Sequence, residues 1–133
     1  MEKTNFENLQ IYQLAERLAD EIWHSAVQWP NLARDTVGKQ AIRAADGVGA
    51  NIAEGSGRGS PVDNRRFLRM ARGSLYETRH WLRRAYCRKL LEETQVSVLT
   101  EIISELMPKL NAYLRAVDDT IKNNLKDKLK DKS

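Results

Sequence analysis

The stretch NIAEGSGRGSP, residues 51–61, sets glycines at alternate positions, Gly55, Gly57 and Gly59, around Arg58. A glycine-rich run beside a cation suggests a phosphate cradle, and whether it is one decides how the chain folds. The dinucleotide fingerprint needs G-x-G-x-x-G between a strand and a helix, and the Walker loop needs G-x-x-x-x-G-K-[ST]. Neither spacing is present. The preceding residues 39–54, KQAIRAADGVGANIAE, place apolar side chains at Ala41, Ala44, Ala45, Val48 and Ile52, a helical period with no β-branched run. The glycines therefore join two helices. Ser60 suits the N-cap of the second, Pro61 its first position, and Asp63 the acidic place of a capping box. On this reading Gly55, Gly57 and Gly59 serve the turn; anion binding at the new helix N-terminus is the alternative.

Working outward, the same period predicts four helices. The one before the glycines, about 34–54, is rich in Ala and Gly and carries Val37 at the head of its apolar row. A second row, Ile42, Gly49 and Ala53, implies contact with more than one neighbour. Residues 8–27 repeat Ile11, Ala15, Leu18, Ile22 and Ala26, with Tyr12 and Trp23 flanking the stripe and Pro30 ending the helix. After the glycines, 61–91 gathers Phe67, Met70, Ala71, Ser74, Leu75, Thr78, Trp81, Leu82 and Ala85 on one side. The fourth helix, 94–125, repeats Leu99, Ile103, Leu106, Leu110, Tyr113, Val117 and Ile121, with a kink or a break expected at Pro108. The fold class expected is all-α, an antiparallel up-down four-helix bundle in one domain, 1–125, with 126–133 a charged, disordered tail. Tyr12, Trp23, Ile42, Gly49 and Ala53 add apolar surface beyond what a lone bundle buries, so a closed homo-oligomer is expected through them.

Charge is distributed unevenly among the 133 residues. From residue 58 to 89 there are ten basic residues, nine of them arginine, against Asp63 and Glu77, a local balance of +8 in a chain whose total is +4. At about 100° per residue, Arg65, Arg69, Arg72, Tyr76, Arg79 and Arg83 fall on one helical face, placed on the side away from the apolar stripe. Guanidinium forks pair with phosphates and a tyrosine stacks on bases, so these residues with Arg58 are the candidate nucleic-acid surface, for RNA or DNA. A solvated face, or one paired with acidic residues of another subunit, is the alternative.

The remaining chemistry-bearing residues are sparse. Cys87 stands alone, and His24 and His80 are far apart, so no metal or cofactor is expected. Asn51 and Glu54 read as structural, Asn51 bonding across helices and Glu54 pairing with Arg58; a catalytic Glu54 would need a partner acid, base or metal ligand that the sequence does not offer. No enzyme is expected. There is no run of about 18 apolar residues and no secretory pattern, from which a cytoplasmic protein without a membrane partner is expected.

Three segments carry a family resemblance: FENLQIYQLAERLADEIW at 6–23, QAIRAADGVGANIAEGSGR at 40–58 and FLRMARGSLYET at 67–78. Over about 6–120 the chain resembles the bacterial four-helix bundle proteins encoded in intervening sequences of large-subunit ribosomal RNA genes. The resemblance implies a small bundle assembling into a ring, commonly a pentamer, with no established catalysis. A distant branch is the accessory variability determinant of diversity-generating retroelements, a basic ring that binds nucleic acid and partners a reverse transcriptase. The chain is expected to be a non-catalytic, homo-oligomeric accessory or scaffold that binds nucleic acid through the arginine row of its third helix, with a reverse transcriptase as a further partner only by analogy with that branch. The alternative is a protein-interaction scaffold binding acidic partner surfaces.

Overall fold

The computed structural model describes residues 5–132, without the side chain of Asn8, and these are helical almost throughout, with no strand among them. A 3-10 turn, Phe6–Asn8, leads into α1, Gln10–Ala26. One turn of α2, Asn31–Ala33, passes through a π-helical turn, Arg34–Gly38, into α3, Lys39–Ser56. Then follow α4, Pro61–Cys87, and α5, Glu93–Asp131. The four long helices close a ring of contacts, α1 and α4 each packing on both α3 and α5. Each consecutive pair runs antiparallel: Gly49 of α3 lies against Tyr12 and Ala15 of α1, and Gly47 faces Ser74 of α4.

The expected apolar rows of the first two helices are all buried: Ile11, Ala15, Leu18, Ile22 and Ala26, then Val37, Ala41, Ala44, Ala45, Val48 and Ile52. The π turn was not expected. Its hallmark is the Lys39 N–H, which reaches five residues back to the Arg34 carbonyl, while the Thr36 hydroxyl donates to the Leu32 carbonyl at 2.7 Å. Beside it a smaller apolar cluster, Ala26, Trp29, Val37 and Ala85, closes one end of the bundle.

The later helices correct several expectations. On α4, Met70 is about half exposed, and Leu68, absent from the expected row, is buried. The buried set runs from Phe67 to Leu68 around an arc of about 100°, and Met70 lies outside it. On α5 the row is Leu99, Ile102, Leu106, Leu110, Leu114 and Ile121, with Ile103, Tyr113 and Val117 at its margin. The helix passes through Pro108 without a break. Pro108 and Ser104, whose carbonyl loses its helical partner to the proline, both lie on the exposed side of the helix. Residues 126–131, expected to be disordered, continue α5 as exposed helical turns with alternating charge; Ser133 lies outside the described residues.

The glycine joint between α3 and α4 is a turn, built differently in detail from the expected one. Ser60 caps α4, its Oγ accepting from the Asp63 N–H at 3.1 Å, and Pro61 begins the helix. The Asp63 carboxylate lies 3.7 Å from Arg66. Of the three glycines of the joint, only Gly59 has a left-handed backbone, with φ 79°. Gly55 belongs to α3 and is needed for closeness: a Cβ there would sit 2.7 Å from Asn64 Oδ1 and 2.9 Å from Phe67 Cβ. With Pro61 lacking an N–H and those of Asp63 and Asn64 taken by Ser60, the α4 terminus offers an anion little beyond the Val62 amide.

The end of α4 is the least predictable boundary. It stops at Cys87, short of the expected Leu91, because Lys89 turns left-handed at φ 62°. The Leu90 N–H then bonds the Ala85 carbonyl at 2.9 Å and the Lys89 N–H that of Tyr86 at 3.0 Å, a Schellman closure without glycine. The Glu92 N–H donates to Gln95 Oε1 at 2.8 Å and starts α5.

Candidate nucleic-acid interface

The buried arc of α4 is centred between Phe67 and Leu68, so the arginine row lies about 110° from it, not on the far side. That angle brings the row to the edge of α5. Arg65 Nη1 donates to Asp118 Oδ1 at 3.1 Å, and Arg72 Nη1 donates to Asn111 Oδ1 at 3.3 Å. From 65 to 72 the row climbs seven residues along α4 while its partner moves seven back along α5, from 118 to 111. The next step puts Arg79 beside Ser104, both lining one cleft. Down to up, the acceptor weakens from carboxylate to amide to hydroxyl, and the Ser104 hydroxyl already donates to the Glu101 carbonyl at 2.8 Å. Arg79 makes no ion pair or hydrogen bond among the described residues, nor do Arg69 and Arg83 beside it.

The expected surface is thus divided. Arg58 is held by Glu54, its Nη2 donating to Oε1 at 2.6 Å, and stacks over the Phe67 ring at 4.9 Å. Arg65 and Arg72 tie α4 to α5. Arg69, Tyr76, Arg79 and Arg83 are exposed and available. Clefts follow the seam. A lower cleft of about 370 Å³ is lined by Arg69, Arg72, Tyr76 and, from α5, Arg115. An upper one of about 580 Å³ has Leu82, Leu91, Leu99 and Ile103 among its walls and Tyr76, Arg79, His80, Arg83 and Tyr86 around them. Arg115 and Tyr86 were missed in the sequence. Arg115 has no periodic signal on its own helix, and only the antiparallel register brings it to the row.

A family model described as 23S rRNA-intervening sequence protein matches residues 7–112, from the 3-10 turn through the Asn111 rung of the ladder. The chain belongs to that family. No curated protein matches it. In this family member the matched span holds the glycine joint, all of α4 and the α5 walls of the upper cleft, while Asp118 and the exposed end of α5 lie beyond it.

The other residues singled out from the sequence have definite places. Asn51 does not bond across helices; its Nδ2 donates at 2.9 Å to the Gly47 carbonyl one turn back. Tyr12 rests on Gly49 and on the Phe6 ring, 5.0 Å between centroids, so that pair meets within the chain. Ile42 and Ala53 are half-buried, and Trp23 is 52% exposed beside the exposed Val27 one turn on. Burial, then the Glu16 and Glu7 carboxylates, push the Tyr12 phenol above its ordinary value. His24, His80 and Cys87 are exposed, His80 edge-on to Trp81. No group of three potential metal-ligating side chains occurs among the described residues, and none of their helices is long and apolar enough to cross a membrane.

Proposed function

We propose that the chain is a non-catalytic nucleic-acid-binding accessory protein whose phosphate contacts come from Arg69, Arg79 and Arg83, with Tyr76 stacking among them. The observation that carries this is the row of arginines left without acidic partners on a seam where only the lowest rung, Arg65 with Asp118, is neutralised and Arg72 is held by a neutral amide. Such a row attracts a polyanion over several helical turns, and arginine forks engage phosphate regardless of sequence. Arg58, Arg65 and Arg72 are assigned to the fold. Binding to RNA or DNA is expected to fall steeply with salt, and Arg69→Glu with Arg83→Glu to lower affinity at least about tenfold with helicity unchanged. Equal affinity of wild type and double variant across a salt series would overturn the assignment and favour an acidic protein surface as the partner.

The same reading includes self-association, with Trp23 as anchor, Ile42 and Ala53 at the margin, and a ring of five drawn from the family resemblance alone. Contacts from several copies would then add through effective concentration. A monomer by light scattering at micromolar concentration removes it. A reverse transcriptase partner rests only on analogy with the retroelement branch, and association of the purified proteins is its test.

A further inference from the structure

We propose that the upper cleft between α4 and α5 receives an unpaired base, so that the nucleic acid bound is single-stranded. The inference rests on the nucleic-acid reading above and goes further by naming the strand class. The cleft, about 580 Å³, is large enough for a flat heterocycle and is walled by Leu82, Leu99 and Ile103. Such walls do nothing for a phosphate. Two tyrosines, Tyr76 and Tyr86, line it while staying 56% and 49% exposed, so each offers ring surface to a base entering from solvent. Between them in sequence, Arg79 and Arg83 line the same cleft, neither engaged by an acid. An apolar slot with aromatic faces and free guanidinium groups matches a nucleotide, base inward and phosphate outward.

A duplex cannot use this arrangement, because its bases are stacked and paired inside and only the backbone reaches the seam. A single strand can splay one base into the slot while adjacent phosphates continue along Arg83, Arg79 and down toward Arg69. From Arg69 to Arg83 the helix rises about 21 Å, which suits a repeating polyanion better than a lone carboxylate.

The test uses the full chain and three labelled probes at one salt concentration: an oligouridylate of about 20 nucleotides, a strand of equal length and charge lacking bases, and the oligouridylate paired with oligoadenylate. The single strand is expected to bind about tenfold more tightly than the other two. Tyr86→Ala should bring it down to the affinity of the abasic strand. Thr100→Trp, which fills the cleft from its exposed rim, provides a second variant, with helicity checked for both. Equal, salt-sensitive binding of all three probes overturns the base pocket and leaves the phosphate surface standing. Failure of every probe overturns both readings. Binding of an acidic, phenylalanine-containing peptide that Tyr86→Ala abolishes, with no oligonucleotide bound, assigns the cleft to a protein partner instead.

Discussion

The two sides of α4 solve opposite problems with the same backbone. Toward α3 it presents a surface into which glycines fit: a Cβ on Gly47 would come within 3.1 Å of Ser74 Oγ, and one on Gly55 would overlap Asn64 and Phe67. The Thr78 hydroxyl, fully buried, is satisfied by the Ser74 carbonyl at 2.7 Å. That seam is closed. Toward α5 the same helix presents the arginine row, and clefts remain along that seam. The closed seam therefore holds the fold, and the open one retains accessible charge and apolar surface together.

The largest effect is expected from thickening the closed seam. Gly55→Ala gains helix propensity but drives a methyl into Asn64 and Phe67, and a net loss of about 1–2 kcal/mol is expected in denaturant unfolding. Gly73→Ala is the same substitution with the opposite sign. Nothing lies within 4 Å of the added methyl, so a gain of about 0.5–1 kcal/mol is expected from the same measurement. A gain at Gly55 would show that the seam is not tightly closed.

The open seam is sharpened by releasing its lowest rung. Asp118→Asn removes the charge that holds Arg65, and since both groups are about a third exposed, the expected cost is only about 0.5–1 kcal/mol. Freed, Arg65 extends the cationic row, and affinity for a single-stranded oligonucleotide should rise about twofold or more at low salt. Unchanged affinity would limit the binding surface to the upper rungs.

The smallest effect is expected at the α1/α3 seam. Burial, and after it the Asp20 carboxylate, raise the Asp46 carboxyl above its ordinary value of 3.8. The folded chain thus keeps this proton to higher pH than the unfolded chain does. Stability falls as pH rises from about 3.8 through the raised value, and the whole cost is present at neutral pH. Asp46 is nonetheless exposed, so solvent screens most of this, and Asp46→Asn should raise stability by less than about 0.5 kcal/mol at pH 7 and leave it unchanged near pH 3, read from thermal melts at both.

Helix number and the cores of the first two helices were legible because Ala, Val and Ile at three- and four-residue steps leave little ambiguity about the inward face. The third helix was harder for a physical reason. Met70 and Leu68 are both apolar and sit on either flank of the row, and choosing Met70 rotates the inferred core away from the side where α5 packs. The arginine row then looks like a free outer face. Its division into tied and untied members depends on α5 register, which no local period in α4 encodes. The Schellman turn at Lys89 was illegible because a left-handed lysine carries no glycine signal.

The ladder between α4 and α5 also bears on how the two helices could slide. Because its rungs repeat every seven residues on both, moving α5 by one heptad, about 10 Å, would set Asp118 against Arg72 and Asn111 against Arg79, leaving complementary partners at two levels. The polar rungs alone therefore distinguish poorly between neighbouring registers. What fixes the true one is the short connection after Cys87. There Leu90 and Leu91 pack into the bundle, and the Leu90 amide is bonded to Ala85, so a slip would pull both leucines out. A chain cut between α4 and α5 would lose that anchor, and its helices would be free to pair one heptad out of step.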